Sequence, residues 1–161
     1  MATSALRELQ MAFMPAAIGT VAVIYSNIVN MGIMGKIRYA DKQPVHPYKP
    51  WADQGDKAEP HFRAFKACQN GTEWTVYVVP TIWLYTLYTP AIPVIGKYLP
   101  WVGVLLSLGV AYYNIQYVKG YIESADGRMP GFKKRTQFVR GLFYGTIGGI
   151  ICAVASAFGL F

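Results

Sequence analysis

Between residues 62 and 81 a row of charged and amide side chains runs straight into an uncharged stretch. Arg63, Lys66, Asn70, Glu73 and Tyr77 follow one another at steps of three, four, three and four, so a helix presents all five on one face. Residues 74–96 carry no charge, which leaves Glu73 at the mouth of an apolar run. An ionised carboxylate is costly there without a cation, and one so placed is a candidate for holding a charged ligand. The alternative is an ion pair within the helix, from Lys66 or Arg63 to Glu73 at the headgroup boundary. A second row, Asn114, Tyr117, Tyr121 and Arg128, falls at steps of three, four and seven. Either tyrosine alone reads as an interfacial anchor; beside an arginine two turns on, the pair reads as a lined wall.

The elements that must position these rows are membrane helices. Hydrophobic residues make up 53% of the 161 and charged residues only 14%, with a mean hydropathy of +0.26. Soluble domains do not show that balance. Residues 9–35, 74–96, 98–118 and 141–161 lack Asp, Glu, Lys and Arg altogether, and each can cross a hydrocarbon core of ~30 Å as a helix of about 20 residues. The expectation is an all-α membrane protein, a single four-transmembrane-helix antiparallel bundle over 1–161. Its spans are expected at about 9–34, 63–88, 99–126 and 134–160, with a loop at 36–61.

The net charge of +7 suggests nucleic acid, but its placement argues against that partner. Lys36, Arg38, Lys42, Lys49, Lys57, Arg63 and Lys66 cluster between the first two spans. Lys119, Arg128, Lys133, Lys134, Arg135 and Arg140 cluster between the last two, and the opposite ends hold only Arg7 and Lys97. This positive-inside asymmetry puts both clusters in the cytosol, facing anionic lipid headgroups.

Along the chain, Asn27 and Asn30 lie one turn apart in the first span and are expected to hydrogen-bond between helices. Residues 39–61 carry four prolines and read as an irregular loop in which His46 and His61 are solvated, while Tyr48 and Trp51 lie at headgroup level or over a cytosolic mouth. Pro80 should kink the second span, and the short Thr89–Lys97 connection makes spans two and three antiparallel neighbours. Gly127 and Met129-Pro130-Gly131 put Arg128 at or just past the end of span three. The small residues of span four, among them Gly141 and Gly145, predict tight bundling or oligomerisation. Cys68 and Cys152 read as reduced and structural, and the Asn70-Gly71-Thr72 sequon is too near the membrane to be glycosylated. The first apolar stretch is too long for a signal-peptide core and is expected to stay as an anchor.

Two segments carry a resemblance. Phe62-Arg63-x-x-Lys66-Ala67-x-Gln69-Asn70-x-x-Glu73 and Gly120-Tyr121-x-x-Ser124-Ala125-x-x-Arg128 resemble, in order, the two signatures of the membrane-associated proteins in eicosanoid and glutathione metabolism. That family includes microsomal glutathione transferases, leukotriene C synthase and the five-lipoxygenase-activating protein. The resemblance implies a homotrimer in the endoplasmic reticulum, or in another organelle membrane such as the mitochondrial, with glutathione bound as co-substrate between subunits. It implies that Asn70 and Glu73 hold the glutathione backbone and that Lys66 meets one of its carboxylates; by charge alone, Arg63 can supply the second cation. Tyr117 and Tyr121 would line the tripeptide, Arg128 would act catalytically at the thiol, and Arg38 or Lys36 would add a basic residue from helix one. The implied activity is that of a glutathione transferase or peroxidase acting on a lipophilic electrophile or lipid hydroperoxide, which arrives through the bilayer between helices one and four.

The chemistry of those residue types agrees. Glutathione carries two carboxylates and one ammonium, which two cations and one anion can hold. Its thiol becomes a useful nucleophile when a guanidinium favours the thiolate, and arginine stays protonated while partly desolvated. Lys66, Trp74 and Asn114 depart from the family pattern, which has arginine, tyrosine and, in leukotriene C synthase, arginine at those places. The competing reading is a non-catalytic lipid-binding or accessory subunit of a larger membrane complex. A channel would need a polar lining across the whole bilayer, whereas the polar residues gather in one half.

Overall fold

The computed structural model describes residues 2–40, 42 and 58–160. They form four helices, α1 (Ala2–Ala40), α2 (Ala58–Tyr88), α3 (Leu99–Glu123) and α4 (Arg128–Ala157). No strand occurs among the described residues. Three segments, Ser4–Ala40, Gly96–Glu123 and Arg128–Ala157, are long and apolar enough to cross a membrane. α2 has the length, but Arg63, Lys66 and Glu73 crowd its first half.

The helices outrun the expected spans at the ends that carry the site. α1 continues through Gly32 and Gly35 to Ala40, so Lys36 and Arg38 ride on a helical extension rather than in a loop. α2 begins at Ala58, which places His61 on a helix; its side chain is 3% exposed, not solvated as expected. His46, Tyr48 and Trp51 lie outside the described residues. α3 ends at Glu123 because Ser124 is extended, with φ −159° and ψ 159°, and α4 starts only four residues later. Arg128 is therefore the first residue of α4, not the tail of α3. Pro15 and Pro80 both lie inside unbroken helices.

Two short 3-10 turns, Thr89–Ala91 and Gly96–Tyr98, join α2 to α3 and make them antiparallel neighbours. This central pair packs on everything else: α1 and α4 each touch both α2 and α3 but not one another. Toward the turn end the core is apolar, built from Ala16, Val23, Val78, Ile82, Val110 and Leu142 around the Tyr85 ring. At the opposite, basic end a smaller cluster forms from Ala67, Tyr117 and Val118, with Tyr121, Ile122 and Phe132 packed against it. Both cysteines are free, and the Cys68 thiol donates to the Asn30 carbonyl at 3.3 Å.

Candidate functional site

The α3–α4 corner is the tightest part of the basic end. Gly120 and Gly127 face each other so closely that a Cβ on Gly120 would overlap the Gly127 carbonyl oxygen. Ser124 Oγ accepts from the Gly127 N–H at 2.9 Å and closes the turn. That backbone approach puts Tyr121, in the last turn of α3, beneath Arg128, the first residue of α4, with the guanidinium 4.6 Å from the ring centroid. Gly131 then lies directly on the backbone of Tyr117, 2.5 Å from its nitrogen to a would-be Cβ, so α4 locks Tyr117 in place from behind.

From α2, Asn70 reaches across to the same tyrosine, its Nδ2 donating to the Tyr117 hydroxyl at 3.0 Å. Asn70, Tyr117, Arg128, Met129 and Phe132 together line a hollow of about 260 Å³. Three helices thus contribute one amide, one phenol and one guanidinium to a single opening. A hollow so furnished can hold an anion: Arg128 offers forked charge-assisted donors, and the phenol, accepting from Asn70, has its own proton free to donate.

The remaining expected residues take other places within the protomer. Arg63 donates from Nε and Nη2 to the Ile122 carbonyl at 3.3 and 2.8 Å, meeting a carbonyl of the last turn of α3. Lys66 and Glu73 do not pair directly; Gln69 stands between them, accepting from Lys66 Nζ at 3.2 Å and donating to Glu73 Oε1 at 3.1 Å. Glu73 is exposed and does not line the hollow. Tyr77 is 73% exposed, further along α2. Arg38 lies over the Tyr39 ring at 5.0 Å, away from the hollow. Asn27 hydrogen-bonds between helices as expected, but the Asn30 amide, 1% exposed, has no hydrogen-bond partner among the described residues for either side-chain atom.

One residue central to the site was read only as part of the basic cluster. Arg135, 2% exposed, donates from Nη1 to Asn114 Oδ1 at 2.6 Å and packs over Trp74 at 4.3 Å and Tyr117 at 4.6 Å. Trp74 and Asn114, two of the positions that depart from the family pattern, therefore meet on this guanidinium. Asn114 Nδ2 in turn donates to Ser26 Oγ and Asn27 Oδ1, and Asn27 donates to Thr75 Oγ1 at 2.6 Å. The chain of bonds links all four helices behind the hollow.

No family model matches this sequence, and no curated protein matches it. The chemistry of the site accordingly rests on its own geometry. A second, apolar hollow of about 450 Å³ lies further along the α2–α4 seam, lined by Tyr77, Pro80, Val139, Arg140 and Phe143 among others. The two hollows share the same pair of helices. α4 contributes Arg128, Phe132, Thr136, Val139 and Phe143, at helical steps along one face.

Proposed function

We propose that this chain is a membrane-bound enzyme that holds a small thiol, glutathione, at the basic end and activates it against a lipophilic acceptor. The observation that carries the reading is the convergence of Asn70, Tyr117 and Arg128, from α2, α3 and α4, on one hollow with Tyr121 beneath the arginine. Arg128 and the Tyr117 hydroxyl would stabilise the thiolate, which is the nucleophile. The acceptor, an electrophilic lipid or lipid hydroperoxide, would lie in the apolar hollow between α2 and α4, within reach from the bilayer. Within one protomer α1 and α4 lie apart, so an approach between those helices would require neighbouring copies.

The finer architecture belongs to the same proposal. α2 crosses the membrane with the other three helices, the basic end faces the cytosol, and three copies assemble so that Arg38, Lys66 and Glu73 of one protomer complete the site of another. The family resemblance supports this arrangement, as does the outward position of Glu73 and Lys66. The endoplasmic reticulum is the proposed location. The second reading, a non-catalytic accessory or lipid-binding subunit, is favoured by one specific observation: the Arg63 Nε and Nη2 both donate to the Ile122 carbonyl.

The test is glutathione binding and conjugation of a generic aromatic electrophile by detergent-purified protein. Arg128→Ala is expected to lose turnover by about 100-fold or more while largely keeping binding, because it removes the group that stabilises developing charge. Glu73→Ala is expected to lose binding instead. An unmutated protein that binds no glutathione sinks the enzyme reading.

A further inference from the structure

We infer that Arg135, which does not line the hollow, is a positioning residue that charges it from behind: a buried cation whose counter-ion is the anion of the bound ligand. The inference rests on the reading of the hollow as a thiol site and deepens it.

Arg135 is an unusual charge. At 2% exposure it has exchanged water for one amide oxygen of Asn114 and the faces of Trp74, Tyr117 and Phe132, at 4.3, 4.6 and 5.9 Å. Among the described residues its Nε has no hydrogen-bond partner and no carboxylate pairs with it. Every further member of its network is neutral: Asn114, Ser26, Asn27 and Thr75, ending on the Gly71 carbonyl. Arginine does not shed its proton to escape such a place, and aromatic faces offset only part of the lost hydration. Among the described residues, one positive charge is left without an anionic partner.

What separates that charge from the hollow is a single layer of rings. Tyr117 and Phe132 lie under the Arg135 guanidinium and also line the hollow. A cation over the Tyr117 ring draws electron density from the phenol and strengthens its O–H as a donor. Asn70 already donates to that oxygen, so the phenolic proton is directed away from α2. An anion in the hollow therefore meets Arg128 in direct contact, a sharpened Tyr117 donor, and the Arg135 field across a low-dielectric wall.

Other charges near the site sit farther from water's exclusion. On α2, Lys66 and Glu73 are bridged through Gln69, and Arg63 is held at Ile122. On α3, Tyr121 lies under Arg128 while Lys119 and Glu123 are exposed; on α4, Lys133 and Lys134 are exposed; α1 contributes only the neutral Ser26 and Asn27.

The experiment is an ultraviolet titration of the glutathione thiolate bound to detergent-purified protein, alongside thermal stabilisation by sulfate. Asn114→Asp places a carboxylate on Nη1 and neutralises the guanidinium without removing it. Arg135→Gln removes the charge but can still donate to Asn114, and Arg135→Lys keeps the charge. Both neutralising variants are expected to leave roughly tenfold less bound thiolate at neutral pH, with Arg135→Lys recovering most of it. Sulfate is expected to stabilise the unmutated protein more than either neutralised form, with chloride as the ionic-strength control. If thiolate titration and sulfate response are the same in all four proteins, Arg135 is structural only and the inference is overturned. If glutathione does not bind the unmutated protein but the sulfate difference persists, the buried-charge inference stands and the thiol reading falls.

Discussion

The two ends of the bundle differ in where most of their buried polar side chains find partners, although Thr72 and Thr136 at the basic end also bond back to their own helix. Toward the turn end, hydroxyls bond back to their own helix: Ser107 to the Gly103 carbonyl, Thr89 to Tyr85 and Thr146 to Leu142, at 2.7, 2.7 and 2.9 Å. Neighbouring helices there meet mainly through shape, with Gly103 and Gly145 both pressed against the Tyr85 ring, beside one bond that crosses from α2 to α1, Trp83 Nε1 donating to Thr20 Oγ1 at 3.0 Å. At the basic end the polar groups reach across instead. Asn27 joins α1 to α2 and α3, Arg135 joins α4 to α3, and Asn70 joins α2 to α3. A back-bonded hydroxyl is satisfied wherever its neighbours lie, so it specifies nothing about them. A bond between helices exists only in one relative placement, and the hollow lined by Asn70, Tyr117 and Arg128 lies at the end where such bonds gather.

Substitutions can break or sharpen that contrast. The largest effect is expected from Asn114→Leu, which takes away the acceptor of the buried Arg135 and two donors to α1, at a cost of about 3 kcal/mol or more. Thermal unfolding in detergent reads it directly; an unchanged midpoint would mean that the basic end is held by packing like the other. Next come two glycines, one in each region. Gly149→Ala drives a Cβ to 2.6 Å from the Tyr88 backbone, and Gly131→Ala drives one to 2.5 Å from that of Tyr117. Each is expected to cost roughly 1–3 kcal/mol by overpacking. Only Gly131→Ala should also lose glutathione binding, because only it displaces a residue of the hollow; equal binding by the two variants would dissolve the functional distinction. The smallest effect belongs to Thr146→Val, within about 0.5 kcal/mol, since the carbonyl it releases keeps its helix bond. A larger loss would show that the back-bonds carry more than local satisfaction.

Arg128 was expected at the tail of α3 and stands on α4, but the helices and the faces that carry Asn70 and Tyr117 were legible, because spacing at three and four survives any detail of packing. Arg135 was not. It stands between Lys133, Lys134 and Arg140, and so many cations between two apolar stretches make the whole cluster read as positive-inside flanking charge. No spacing ties it to Arg128 in the sequence, because Met129-Pro130-Gly131 argues for a break between the two positions. His61 was misread because Pro60 and the proline-rich stretch before it argued for a loop, whereas a proline is tolerated in the first turn of the helix that starts at Ala58. Glu73 shows a different limit. Its helical phase is right, but one protomer offers it only Gln69, and phase alone does not say whether a carboxylate meets a ligand, a neighbouring copy or its own helix.

The Gly120–Gly127 contact also fixes how the bundle can breathe. Two backbones with no side chain between them have no slack to give, so the corner bearing Tyr121 and Arg128 travels as a single stiff elbow. Asn70, by contrast, reaches the opening from α2 through a single side-chain bond to Tyr117. The opening thus has one wall set by backbone contact and another set by a hydrogen bond.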